Sequence, residues 1–184
     1  MAIALHVRGL RKRYTVGTGA CMASADVLRG IDVVVRAGEA IGVLGPEGSG
    51  KTTLLLCLAG LLPADAGDVE WFGARDRDVA RRRVIYHAVR PDLLRTGGWG
   101  ESHLHLVDVP AACPQFGTWL SQRCAAGDAV VVVERAGGSL LPALSRVFAL
   151  RGGVLVPHVR PATRVAEARA SRARGFVDPP SGHV

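Results

Sequence analysis

The chain has 184 residues, 48% hydrophobic and 21% charged, with a formal net charge of +7. That is the size of one domain with its own core, and the apolar content excludes an intrinsically disordered polymer. No apolar run reaches the roughly 18 residues a membrane-spanning helix needs. Cys21, Cys57, Cys113 and Cys124 share no C-x-x-C spacing, which argues against a zinc ribbon or redox pair and leaves them as free thiols.

In chain order, residues 5–7 read as a first strand and residues 41–44, Ile-Gly-Val-Leu, as a short apolar one. Next comes Gly45-Pro46-Glu47-Gly48-Ser49-Gly50-Lys51-Thr52, which fits G-x-x-x-x-G-K-[ST]. Glycines let successive N–H groups converge on phosphate oxygens, Lys51 reaches the terminal phosphates, and the Thr52 hydroxyl is placed to ligate Mg²⁺. Residues 53–62 are predicted as the following helix, whose positive end, starting at Thr53, adds to the anion site. This strand–loop–helix context is the one in which the motif binds phosphate.

Two further strands end in acids. Residues 104–108, Leu-His-Leu-Val-Asp, end at Asp108, and residues 129–134, Ala-Val-Val-Val-Val-Glu, end at Glu134. Each is a candidate magnesium ligand, so two assignments of the metal acid stand open. Residues 140–150 are predicted as an apolar helix and residues 153–157 as a strand that stops at His158. His103 and His105 alternate with apolar residues; strand-edge histidines are preferred there to a metal site shared with Cys113. Residues 162–174 form an Ala- and Arg-rich helical stretch, read as a solvated face rather than a nucleic-acid site. Lys12 and Lys51 are the only lysines among 23 basic residues, a skew that follows from GC-rich coding and carries no binding signal. The domain is expected over residues 1–160, with the Arg/Ala-rich stretch and a flexible tail in 161–184.

Residues 27–45 and 61–73 resemble the ATP-binding-cassette (ABC) family, in which a strand and a Gly-Glu turn, here Gly38-Glu39, precede the phosphate loop. The resemblance implies an α/β P-loop NTPase fold with a parallel central sheet, an N-terminal antiparallel sheet and ATP with Mg²⁺ as ligands. It implies that Tyr14 stacks on adenine and that Glu134 ends the strand of the metal acid. Arg135 then stands where the family keeps its catalytic glutamate, and a guanidinium cannot polarise water at neutral pH. His158 falls at the switch histidine that contacts the γ-phosphate. Val89 takes the place of a metal- and water-contacting glutamine, so that contact is lost or passes to Arg90 or His87.

The family inserts a helical subdomain carrying Leu-Ser-Gly-Gly-Gln before the metal acid's strand. Residues 95–129 are too few for it, so the subdomain is expected to be reduced or missing, with residues 120–123, Leu-Ser-Gln-Arg, as a candidate relic. The resemblance further implies a second ABC-type domain and a membrane permease as partners. It also implies a peripheral place on the inner face of the membrane, in keeping with the absence of a secretory leader at the start of the chain. Two other readings are a non-catalytic, nucleotide-gated interaction protein and a small ParA-like or GTPase-like switch, which the strand ending at Asp108 resembles and which is favoured if Asp108 is the metal acid. The second is weakened by the absence of Asn-Lys-x-Asp.

Overall fold

The computed structural model describes residues 2–17, 23–88, 101–109, 114–134 and 143–158. Strands β1 (Ile3–Val16) and β2 (Ala23–Arg36) pair antiparallel, and β4 (Ala66–Trp71) joins the other edge of β1. The second sheet has the order β5-β6-β7-β3-β8-β9, built from β3 (Ala40–Leu44), β5 (Val84–Ala88), β6 (Leu104–Val109), β7 (Ala129–Glu134), β8 (Arg146–Arg151) and β9 (Val154–Pro157). Its first five strands run parallel and β9 returns antiparallel. Helices α1 (Lys51–Leu58), α2 (Arg77–Arg83) and α3 (Pro114–Ala125) complete the described elements.

A parallel sheet must be covered on both faces, and its strands are therefore apolar throughout. All six residues of β7 are buried. Val131 and Val133 face a core shared with α1 and the antiparallel sheet, while Val130 and Val132 face Phe116, Trp119 and Leu120 of α3. Helix α1 lies inside this sandwich, burying Leu54, Leu55, Cys57 and Leu58; each leucine contributes about 1.5–3 kcal/mol. Its C-terminal end is held by Trp71, whose Nε1–H donates to the Leu58 carbonyl at 2.7 Å.

Two sequence expectations are corrected. Residues 146–150, predicted as helix, form β8, because the alternating Val147 and Ala149 find a ladder on β3. Short apolar runs fit either state until a partner strand decides. Residues 120–123 lie in α3, with Leu120 buried against the sheet, so this segment is the crossover from β6 to β7 and not a signature relic. The whole passage from β5 to β6 is made in residues 89–103. Val89, Arg90, Cys21, Cys113, Arg135, the 162–174 stretch and the boundary at 160 lie outside the described residues.

A buried polar network pins the far edge of the parallel sheet. Asp128, in the turn before β7, accepts from the His103 backbone N–H at 2.8 Å, from His105 Nε2 at 3.3 Å and from Arg123 Nη1 at 3.4 Å. Since a carboxylate only accepts, His105 carries its proton on Nε2, and His87 Nε2–H donates to His105 Nδ1 at 3.0 Å. The two imidazoles stack with their centroids 5.3 Å apart, and Trp119 of α3 packs edge-on against both. Burial pushes His87 down to about 4, helped by His105, and pushes His105 down despite Asp128.

Both rings therefore stay neutral in the fold at a pH where the unfolded chain binds protons. Stability should be full above about pH 6.5 and fall as the pH drops toward 4, by about 1 kcal/mol between pH 7 and 5 once the partial exposure of His87 is allowed for. Urea melts at pH 7, 6 and 5 check this, and His87→Gln should flatten the slope.

Candidate functional site

The loop between β3 and α1 has the backbone its glycines permit. Gly50, which caps α1, sits at φ 96° and ψ 13°, and Gly48 at φ 76°. Both lie in the left-handed region that favours glycine. A Cβ on Gly50 would stand 2.6 Å from Val27 Cγ1, so space as well as torsion excludes a side chain there. No side chain caps α1 and no acid lies in its first turn, leaving its first N–H groups directed at the loop's hollow, as an anion site requires.

Lys51 is only 8% exposed. Its Nζ donates to the carbonyls of Gly45 (2.8 Å) and Pro46 (2.7 Å) and to Ser49 Oγ at 3.3 Å. The ammonium thus lies inside the loop, within reach of the space the glycines leave. One residue on, Thr52 Oγ1 donates to Asp108 Oδ2 at 2.9 Å. The next, Thr53 Oγ1, is 3.5 Å from the Tyr14 hydroxyl, and Tyr14 is 38% exposed. Three successive α1 residues thus reach three different partners: the loop's own oxygens, Asp108 and Tyr14.

The sheet order decides which acid meets Thr52. Asp108 is the penultimate residue of β6, two strands from the loop's own strand, and reaches the hydroxyl across the end of β7. Glu134 ends β7 itself, its Cα in register with Leu44 on one side and Val109 on the other, and it is buried. Both acids are brought to the C-terminal ends of the parallel strands, the end at which ligands bind in such sheets. The acid in contact with Thr52 is Asp108.

His158 is not brought there. Strand β9 runs antiparallel to β8, so it travels away from the loop. The His158 N–H donates to the Val147 carbonyl at 2.8 Å, on a row level with Gly42. The expectation that this histidine faces the γ-phosphate gives way to strand direction. His87, a candidate substitute for the glutamine, is also turned from the loop, into the His105–Asp128 network.

The donor set suits Mg²⁺ with a polyphosphate. Hydroxyl and carboxylate oxygens are hard ligands, and Mg²⁺ takes one or two protein oxygens beside water and phosphate. Among the described residues no cluster of three His, Cys, Asp or Glu offers a complete metal cage. Beside the loop tip a cleft of about 750 Å³ opens between Asp26 and Arg29 of β2, Pro46 to Ser49, and Arg151 to Gly153. A further anchor that the sequence reading missed fixes the base of β3. Arg146 Nε donates to Glu39 Oε1 at 2.6 Å, and although burial raises the Glu39 carboxyl, Arg146 and the Arg36 N–H hold it below the usual range.

The description of the ABC transporter family matches residues 28–96. The lipoprotein-releasing system ATP-binding protein LolD of Ruegeria sp. (strain TM1040) is 35% identical over 99% of this chain and 77% of its own length. The cytochrome c biogenesis ATP-binding export protein CcmA of Paraburkholderia xenovorans (strain LB400) is 47% identical over 36% of this chain, which spans only 27% of that protein. Among solved structures, a nucleotide-free ATP-binding cassette from an ABC transporter superposes with a TM-score of 0.65 at 14% identity, over 91% of this chain and 95% of that one. The dimeric cassette MJ0796 bound to ADP and Pi gives 0.60, also at 14%, over 82% and 96%.

The Gly50 geometry generates a prediction. Gly50→Ala should cost about 1–3 kcal/mol of stability from the left-handed torsion, with the Val27 clash adding to it. A thermal melt against wild type measures it.

Proposed function

The chain belongs to the ABC transporter ATP-binding family, and we propose that it binds MgATP and turns it over slowly on its own, serving a membrane permease together with a second ABC-type domain. The observation that carries the reading is the Thr52–Asp108 hydrogen bond beside an intact phosphate loop. On this reading Lys51 leaves the Gly45 and Pro46 carbonyls for the terminal phosphates. The loop N–H groups hold the β-phosphate, Thr52 and Asp108 hold the metal, and Tyr14 stacks on adenine. Bound Mg²⁺ neutralises charge building between the β- and γ-phosphates.

With Asp108 as metal acid, the next residue is Val109, which has no group to accept a proton from water. This supports slow turnover, as does the span of residues 89–103 in which a signature-bearing subdomain finds no room. Each site would then borrow a signature from a partner domain. Val109 also favours the second reading, a nucleotide-gated interaction protein with almost no hydrolysis. The ParA-like or GTPase-like alternative rested on Asp108 holding the metal. Asp108 serves an ABC cassette equally well once β7 lies between the two strands, and family membership removes that alternative. No helix among the described residues is long and apolar enough to cross a membrane; peripheral attachment on the cytoplasmic face through the permease is part of the proposal.

Calorimetric titration with ATP, with and without Mg²⁺, tests the metal assignment. Asp108→Ala should abolish the magnesium dependence while Glu134→Ala keeps it; the reverse pattern rejects Asp108. Phosphate release by the purified chain, measured above a Lys51→Ala background, should be very slow and should accelerate with a partner carrying an intact signature. Robust turnover by the chain alone contradicts this.

A further inference from the structure

Resting on the reading that Thr52 and Asp108 hold the metal of MgATP, we infer that Tyr86 is a positioning residue for it, its hydroxyl donating to the Asp108 carboxylate oxygen that Thr52 does not engage. Alternation places the two residues on one face of the sheet. Tyr86 packs with Val84, Leu104 and Leu106 in the core that holds α1, and on that face Asp108 meets the first turn of α1. His87 and His105 take the opposite face, against Trp119 of α3.

Around Asp108 the sheet offers no nearer donor. Its partner on β5 is Ala88 and its partner on β7 is Val133, and neither side chain carries a polar hydrogen. Thr52 donates to Oδ2, which leaves Oδ1. From β5 the residues sent to this face are Val84, Tyr86 and Ala88, so Tyr86 is that strand's one polar side chain there. Since Tyr86 pairs with Leu106 and Ala88 with Asp108, Tyr86 stands one strand over and two residues back from Asp108. That is about 4.8 Å sideways and about 6.6 Å along the strand. A tyrosine leaning along its strand covers the separation, where a serine or threonine falls short.

The phenol itself agrees with this pairing. Among the described residues its hydroxyl has no hydrogen-bond partner, and a tyrosine hydroxyl drawn into a core ordinarily finds one. Burial first, and then the Asp108 carboxylate, push the phenol above its ordinary value, so it keeps the proton it would donate. A carboxylate held at both oxygens has its plane fixed, and each oxygen keeps a lone pair for a cation or its water. Such partners of a ligating side chain set metal affinity by about 10–100-fold.

The test uses the full chain and Tyr86→Phe, which removes the hydroxyl and keeps the ring in the core. Calorimetric titration with ATP alone should give the wild-type affinity, whereas the gain in affinity brought by Mg²⁺ should shrink about tenfold. A loosened fold would instead weaken ATP binding alike with and without Mg²⁺. The second readout leaves Tyr86 in place. The chain has two tyrosines, so 3-fluorotyrosine labelling gives a ¹⁹F signal for each, assigned with Tyr14→Phe, and adding Mg²⁺ to the ATP complex should shift that of Tyr86.

An undiminished magnesium gain in Tyr86→Phe overturns the inference, even if ATP binding weakens overall. So does a Tyr86 signal that Mg²⁺ does not move. Both outcomes leave the reading of the site standing. Wild type whose ATP affinity ignores Mg²⁺, or Asp108→Ala that keeps the full gain, removes that reading and the inference together.

Discussion

Three strands, β6, β7 and β3, lie side by side, the middle one paired in parallel on both edges and buried along its whole length, and the site depends on that ladder. Its strands are parallel, so their C-terminal ends finish together. The loop leaves β3 at Gly45, Asp108 leaves β6, and Glu134 leaves β7. None of these groups is near another in sequence. A one-residue slip of β7 would turn Glu134 to the opposite face and exchange its buried valines between the two cores. That register is protected by apolar burial on both sides, which makes the least polar part of the chain the determinant of its most polar one.

The loop itself is stabilised in a form ready for an anion. Its ammonium is satisfied by the loop's own carbonyls, so Lys51 stays buried without an uncompensated charge. The first turn of α1 carries no acid that would compete for its N–H groups. A polyphosphate entering the hollow replaces carbonyl oxygens with better-charged ones at Lys51. The loop thus keeps the backbone and lysine geometry on which the proposed nucleotide binding rests. On the proposed reading, the departures from the family are the valine that follows Asp108 and the short passage between β5 and β6.

Legibility followed the range of the interactions. The loop, its glycines and its lysine were readable because eight consecutive residues carry the geometry. The antiparallel N-terminal sheet and the parallel core were readable through the resemblance of residues 27–45 and 61–73 to the family, and not from alternation alone. His158 was misread because a strand's direction leaves no mark in its composition. Val-Leu-Val-Pro looks the same running toward the loop or away from it, and only pairing with β8 shows which. Residues 146–150 were misread as helix for a related reason, since five apolar-rich residues fit either period. The sequence left Asp108 and Glu134 both open as the metal acid, and the hydrogen bond to Thr52 singles out Asp108 as the acid in contact with the helix.

By itself the sequence determined the phosphate loop, the family and the two candidate acids, since each is set by residue type and by neighbours a few positions away. The tertiary structure alone decided which acid meets Thr52. Thr52 and Asp108 are 56 positions apart, and their meeting follows from the order of strands in the sheet. That order is chosen by how the apolar faces of β7 and its neighbours pack against α1 and α3, a collective property that no local pattern encodes.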